Sequence, residues 1–186
     1  TQVTSPCCMT GSAMMKRKPS VVSPMPQSCK QVAIVLPTGI GDVVHGLPVA
    51  TALKRSGLAR RITWIAEPTP SWIVRPHAAV DEVVVFHKQR GWQGVRQLQR
   101  DLRDRHFDIT LNLNVYFKSV WPTVLTRAPR RIGFDMRRSH EGVWLFSNQR
   151  LKRRPRAHTQ DMFLEFLDAL GLDSAAELRG GLDWEI

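Results

Sequence analysis

Pro37-Thr38-Gly39-Ile40-Gly41-Asp42 sets two glycines and a carboxylate where a short apolar run gives way to a helix-like stretch. In open parallel sheets ligands gather at such a junction. The backbone amides of the first helical turn point outward there, and the helix dipole favours anions. As a dinucleotide fingerprint the turn fails, because Val44 stands at the third glycine position after Gly39 and Gly41. The residues alone leave two readings open: a ligand-binding turn, or a close-packed one in which Asp42 stabilises the first turn of the helix. Nothing points to a metal site, since the six histidines are scattered and no spacing matches zinc ligation.

The elements that must position this turn are legible as alternating periods. Residues 31–36 form a continuous apolar run, the pattern of a strand covered on both faces. After the glycines a helix-like stretch continues through Lys54. Residues 61–66, 82–86 and 107–113 read as further strands, and residues 92–105 place Trp92, Val95, Leu98 and Leu102 at helical spacing with arginines on the other side. Residues 116–127 read as another helix. Residues 130–135 read as a short strand entering a long polar loop, and residues 158–170 as a final helix with Gly171 as its cap. Strands separated by helices imply a parallel sheet, hence a doubly wound, Rossmann-like α/β domain with a mostly parallel sheet.

The chain has 186 residues, of which 42% are hydrophobic, enough for one well-cored domain. Its net charge of +11 favours phosphorylated partners, whether nucleic acid, anionic lipid or a phosphorylated sugar. Lys16, Arg17, Lys18 and Lys30 contribute to it in a leading segment that holds no acid, and the remainder is still basic. Residues 1–30 are rich in Ser, Pro, Met and Lys without apolar periodicity. They read as a disordered tail, either natural or an upstream translation extension. Cys7, Cys8 and Cys29 all lie in that segment, an odd number that argues for a reducing, cytoplasmic setting. No run approaches the ~18 apolar residues of a membrane span. The basic residues are dispersed and no nucleic-acid motif is present, so no nucleic-acid partner is expected.

Leu36-Pro-Thr-Gly-Ile-Gly-Asp-Val-Val-His-Gly-Leu-Pro48 resembles the opening motif of the ADP-heptose:lipopolysaccharide heptosyltransferases, glycosyltransferase family 9. The resemblance continues in order through Trp64-Ile-Ala-Glu67, His77-Ala-Ala-Val-Asp-Glu-Val83 and Tyr116-Phe-Lys-Ser119. It then takes in Arg130-Arg-Ile-Gly-Phe-Asp135 with Arg138, Glu141 and Trp144-Leu-Phe, and ends at His158 with Asp161. These blocks cover nearly everything after Lys30. Asn112 stands where relatives often have Asp, and Asn114-Val115 replaces a common Gln-Gly.

The resemblance implies the N-terminal half of a two-domain, GT-B glycosyltransferase. Residues 31–182 would be the acceptor-binding domain and residues 183–186 the start of a linker to a donor-binding half outside this sequence. It implies transfer, with inversion, from ADP-heptose or a related ADP-sugar to a phosphorylated lipopolysaccharide core glycolipid, at the inner face of the cytoplasmic membrane. No cofactor or metal is required, and these residues alone are expected to be catalytically silent, with an apolar patch where the second half docks. Asp42 corresponds to the base, while Lys118, Lys88, Arg90 and Arg138 correspond to acceptor-binding positions. Asp135 and Glu141 are expected to partner Arg137 and Arg138, His45 to be packed, and His158 to pair with Asp161.

Overall fold

The computed structural model describes residues 30–155, 157–181 and 184. The tail expected over residues 1–30 lies, apart from Lys30, outside the described residues. So does most of the expected linker. Of that linker Trp184 is described, with its carbonyl 2.8 Å from His77 Nε2.

The apolar run becomes β1, Lys30–Val35, and its residues from Val32 to Val35 are fully buried. The other strands are β2 (Ala59–Ala66), β3 (Glu82–Val85), β4 (Ile109–Asn112), β5 (Arg130–Gly133) and β6 (Gln149–Arg150). They form one sheet in the order β3-β2-β1-β4-β5-β6. Every pairing is parallel, a stricter outcome than the mostly parallel sheet expected from the sequence.

Burial on both faces of β1 explains the helices. Val32 and Ile34 belong to a core shared with α1 (Ile40–Arg55) and α5 (Thr159–Ala169). Ala33 and Val35 face a second core with Val95, Leu98 and Leu102 of α3 (Trp92–Leu102) and Leu125 of α4 (Val120–Leu125). A doubly wound sheet is the arrangement that covers both sides of a central parallel strand.

Three short elements go beyond the sequence reading: α2 (Ser71–Val74), β6 and α6 (Ser174–Arg179). Four and two residues are too few for α2 and β6 to display a period. α6 has no buried residue, although its cap is visible in retrospect, as Asp173 Oδ1 accepts from the amides of Ala175 and Ala176 at 2.9 and 3.1 Å. The helix expected over residues 116–127 divides into a 3₁₀ turn, Phe117–Ser119, and α4. Gly171 closes α5 at φ +86, with Leu172 N donating to Leu167 O at 3.0 Å, the left-handed ending expected of it.

α3 is seated by a close approach at its first turn. A Cβ on Gly94 would lie 2.2 Å from the carbonyl oxygen of His87. A Cβ on Gly41 would meet nothing within 4 Å. Gly94→Ala should therefore cost about 1–3 kcal/mol, the usual range for overpacking, and lower the thermal midpoint, whereas Gly41→Ala should leave it unchanged or slightly raised. Equal midpoints for both variants and the parent would contradict this seating of α3.

Candidate functional site

The strand order reverses between β1 and β4, and the crevice beyond their carboxyl ends is where such sheets bind ligands. Two segments frame it: the turn from β1 into α1, and the loop from β4 into α4. Asp42 sits in the first turn of α1, half-buried. Thr38 Oγ1 donates to its Oδ2 at 2.7 Å, which fixes the carboxylate, while Oδ1 has no hydrogen-bond partner among the described residues. The residue preceding α1, Gly39, has φ −67 and makes no side-chain cap. No neighbour comes within 4 Å of a Cβ on Gly39 or Gly41. The glycines therefore leave the surface over the helix terminus open, which removes the close-packed reading of this turn.

Across the mouth of β1 lies a charge cluster centred on Glu67, at the end of β2. Its Oε1 accepts from Lys88 Nζ at 2.7 Å and lies 3.7 Å from Lys118 Nζ. Because β1 lies between β2 and β4, the pairing of Glu67 with Lys118 bridges the strand that leads to Asp42. One carboxylate facing two ammonium groups leaves this cluster with a positive surplus at the carboxyl end of the sheet. Both lysines are partly exposed, at 38% and 26% of their side chains, so an anionic ligand can compete for them. The sequence singled out Asp42, Lys88 and Lys118 but gave Glu67 no role; its signal was an acid ending the second strand.

The loop that carries Lys118 is rigidly scaffolded. Asn112 Oδ1 accepts from Asn114 N at 3.1 Å, and Asn114 Oδ1 accepts from Tyr116 N at 2.8 Å. Glu141 Oε2 accepts from Phe117 N at 2.9 Å, and the Tyr116 ring stacks on His140 at 5.3 Å. Glu141 thus supports the loop carrying Lys118 rather than an arginine, from a backbone position of φ 53. Ile40, Tyr116 and Phe117 are exposed along this rim.

Arg138 does not join the site. It is 3% exposed, and its Nη1 donates to both carboxylate oxygens of Glu165 at 3.0 and 2.8 Å. Its Nε donates to Asp135, and its Nη2 donates to Lys152 O at 2.9 Å. A guanidinium that is buried and already makes four hydrogen bonds is withdrawn from an acceptor in the crevice, so its expected binding role is corrected to a structural one. Asp135 is its partner, as expected. Arg90 is exposed on the turn Lys88–Arg90, with no ion pair among the described residues. Lys88 is nearby in sequence, but Arg90 does not reach Glu67.

α5 is tied differently from expectation. His158 caps α5, its Nδ1 accepting from Gln160 N at 3.3 Å, and its ring meets His45 edge-on at 5.1 Å. Gln160 then clamps α1, with its Nε2 donating to His45 O at 3.1 Å while its Oε1 accepts from His45 Nδ1 at 3.0 Å. Asp161 is exposed and takes no part. His158 thus joins helix to helix, in place of the pair with Asp161 that the sequence suggested.

With this geometry in place, the chain can be set beside known proteins. The sequence profile of glycosyltransferase family 9 (heptosyltransferase) matches residues 95–179. A curated relative, the lipopolysaccharide core heptosyltransferase OpsX of Haemophilus influenzae, is 30% identical over 146 residues, or 78% of this chain. Over these residues the chain matches glycosyltransferase family 9. It spans 42% of the length of OpsX. Among solved structures, E. coli heptosyltransferase WaaC with ADP superimposes on 77% of this chain and 48% of its own, with TM-score 0.69 and 24% identity. A family 9 glycosyltransferase from Veillonella parvula covers 80% and 43%, with TM-score 0.68 and 20% identity. Both share the fold of this chain, which spans less than half of the length of each.

The Arg138 cluster makes a pH-dependent contribution to stability. Burial alone would raise the Asp135 carboxyl, but the hydrogen bonds from Arg138 and from the Arg137 amide outweigh it and hold the pKa below its ordinary 3.8. A lowered folded-state value means this contribution is fully present above the unfolded value and is lost as pH falls through the folded one. Arg138→Gln should cost about 3–5 kcal/mol at pH 7, because it strands two buried carboxylates. In urea titrations the deficit should shrink as pH falls through the lowered Asp135 value and that carboxylate protonates. A deficit independent of pH would contradict the ion-pair account.

Proposed function

We propose that this chain is the acceptor-binding half of a sugar-nucleotide glycosyltransferase that moves a sugar from an ADP-sugar to a phosphorylated lipopolysaccharide core glycolipid. The observation that carries the reading is the pairing of a fixed, half-buried carboxylate, Asp42, with the lysine surplus around Glu67 at the switch point of the sheet. The named activity of OpsX, a lipopolysaccharide core heptosyltransferase, supports it. The donor is held outside these residues, in a second half that faces the crevice, and the exposed apolar rim at Ile40, Tyr116 and Phe117 suits such a covering. The reading places the enzyme in the cytoplasm, at the inner surface of the membrane. The chain by itself binds acceptor without turning it over.

In the transfer step an acceptor hydroxyl oxygen attacks the anomeric carbon of the donor sugar. The bond from that carbon to the ADP oxygen breaks, ADP leaves with the electron pair, and attack from the opposite face inverts the centre. Asp42 accepts the hydroxyl proton. Thr38 orients one carboxylate oxygen, so the other, Oδ1, is the one that faces the acceptor. Closure of the second half removes water, which strengthens a carboxylate base. Lys118 and Lys88 bind a phosphate of the acceptor by exchanging Glu67 for it, a modest cost because both lysines are partly solvated.

Joined to a donor-binding half, the Asp42→Asn variant should lose transfer by about 10²–10⁴-fold, the usual weight of general base catalysis, while acceptor affinity stays within about twofold. Lys118→Ala should weaken binding of a phosphorylated acceptor by about fivefold to tenfold, in line with one lost charge-assisted contact, and flatten its salt dependence. Full transfer activity in Asp42→Asn would remove the base from this assignment.

A further inference from the structure

The crevice uses one side of the molecule, yet an unusual surface lies on the layer formed by α3 and α4. Trp92 begins α3 and Trp121 lies in the first turn of α4; they are 56% and 39% exposed, and their rings meet edge-on at 5.6 Å. Arg96 stands over the Trp92 ring at 5.9 Å. Gly94, Val95, Leu98 and Leu102 face the core, so helical spacing puts Trp92, Arg96, Arg100 and Arg103 together on the outer face. At the far end of the helix Arg100, Arg103 and Arg127 line a hollow of about 390 Å³ with Gln99.

Arg105, Arg138 and Arg154 each pair with a carboxylate, whereas Arg96, Arg100, Arg103 and Arg127 have no ion pair among the described residues. Arg127 also occupies a left-handed backbone position, φ 55, just beyond α4, where glycine is the least strained residue. Cations without a carboxylate partner, gathered along one helix face, suit anionic headgroups. Exposed indoles beside them suit the polar–apolar boundary of a bilayer, where a ring is apolar in body and polar at one edge.

We propose that the α3–α4 face is a docking surface for an anionic lipid bilayer, with Trp92 and Trp121 entering the interfacial layer and Arg96, Arg100, Arg103 and Arg127 contacting headgroup phosphates. The proposal rests on the reading that the acceptor is a membrane glycolipid and names the surface that meets the membrane. Its geometry serves that reading. α3 and α4 start at the carboxyl end of the sheet, so the tryptophans lie on the crevice side and the arginine hollow about 16 Å further back, the length of an eleven-residue helix. A protein resting on this face holds the crevice beside the bilayer, within reach of an acceptor still anchored in it.

Co-flotation of the full chain with vesicles of phosphatidylcholine containing about one-third phosphatidylglycerol tests the proposal, with pure phosphatidylcholine as the neutral arm. Binding should require the anionic lipid. One basic residue near such a surface contributes roughly fivefold, so Arg96→Gln/Arg100→Gln/Arg103→Gln should bind about a hundredfold more weakly. Arg127→Gly should lose about fivefold while melting no lower than the parent, because it relieves a left-handed residue. Brominated lipid should quench the indole emission of the parent and of Trp72→Phe, whose residue is on the α1 face, and not of Trp92→Phe/Trp121→Phe. The same variants should bind a soluble, lipid-free phosphorylated core oligosaccharide like the parent, so a wrong acceptor assignment shows up as loss of that binding in the parent. Undiminished vesicle binding in the triple variant, which would place the contact elsewhere in this basic chain, overturns the proposal. So does capture by an oligonucleotide with no vesicle binding.

Discussion

β1 is buried on both faces, and most of the molecule follows from covering it. Val32 and Ile34 need α1 and α5 on one side, and Ala33 and Val35 need α3 and α4 on the other. A chain that builds β2 and β3 outward on one side of β1 must return across the sheet to place β4 on the opposite side. The return opens a crevice at the end of β1, where no connection passes over the strand. Asp42 and Lys118 lie at the same end of the sheet because each follows one of the two strands that flank the reversal.

The charged groups separate into two kinds by what burial demands of them. Arg138 gives up its hydration and is compensated by Asp135, Glu165 and a carbonyl, so it locks the long loop after β5 to α5. Glu67 with Lys88 and Lys118 is left half in water and short of negative charge. The first arrangement fixes structure and the second is available to a ligand. Between them Glu141 ties the long loop to the loop carrying the partly exposed Lys118.

Where local chemistry decides, the sequence was readable. The unbroken run over residues 32–35 with Gly39 and Gly41 after it marks a strand, a turn and a helix, and Leu98 and Leu102 mark the inner face of α3. Pairings between distant segments were not. Arg138 looks in sequence like any arginine of a polar loop, and its burial depends on Glu165, which α5 brings from 27 residues away. His158 precedes Asp161 at a spacing that suggests a pair, yet capping geometry turns its ring toward His45 on another helix. Glu67 was visible as an acid at a strand end, but its two lysines come from loops after β3 and β4, and the strand order brings them to it.

The central claim, that the crevice takes a phosphorylated acceptor and not the nucleotide donor, is tested most directly by calorimetry on the full chain. A phosphorylated lipopolysaccharide core oligosaccharide and ADP would be titrated separately at two salt concentrations. The account predicts acceptor binding that weakens as salt rises, as expected for contacts to partly exposed lysines, and no heat from ADP. Tight binding of ADP with none of the acceptor would contradict it and make this the donor half, with Asp42 no longer the base.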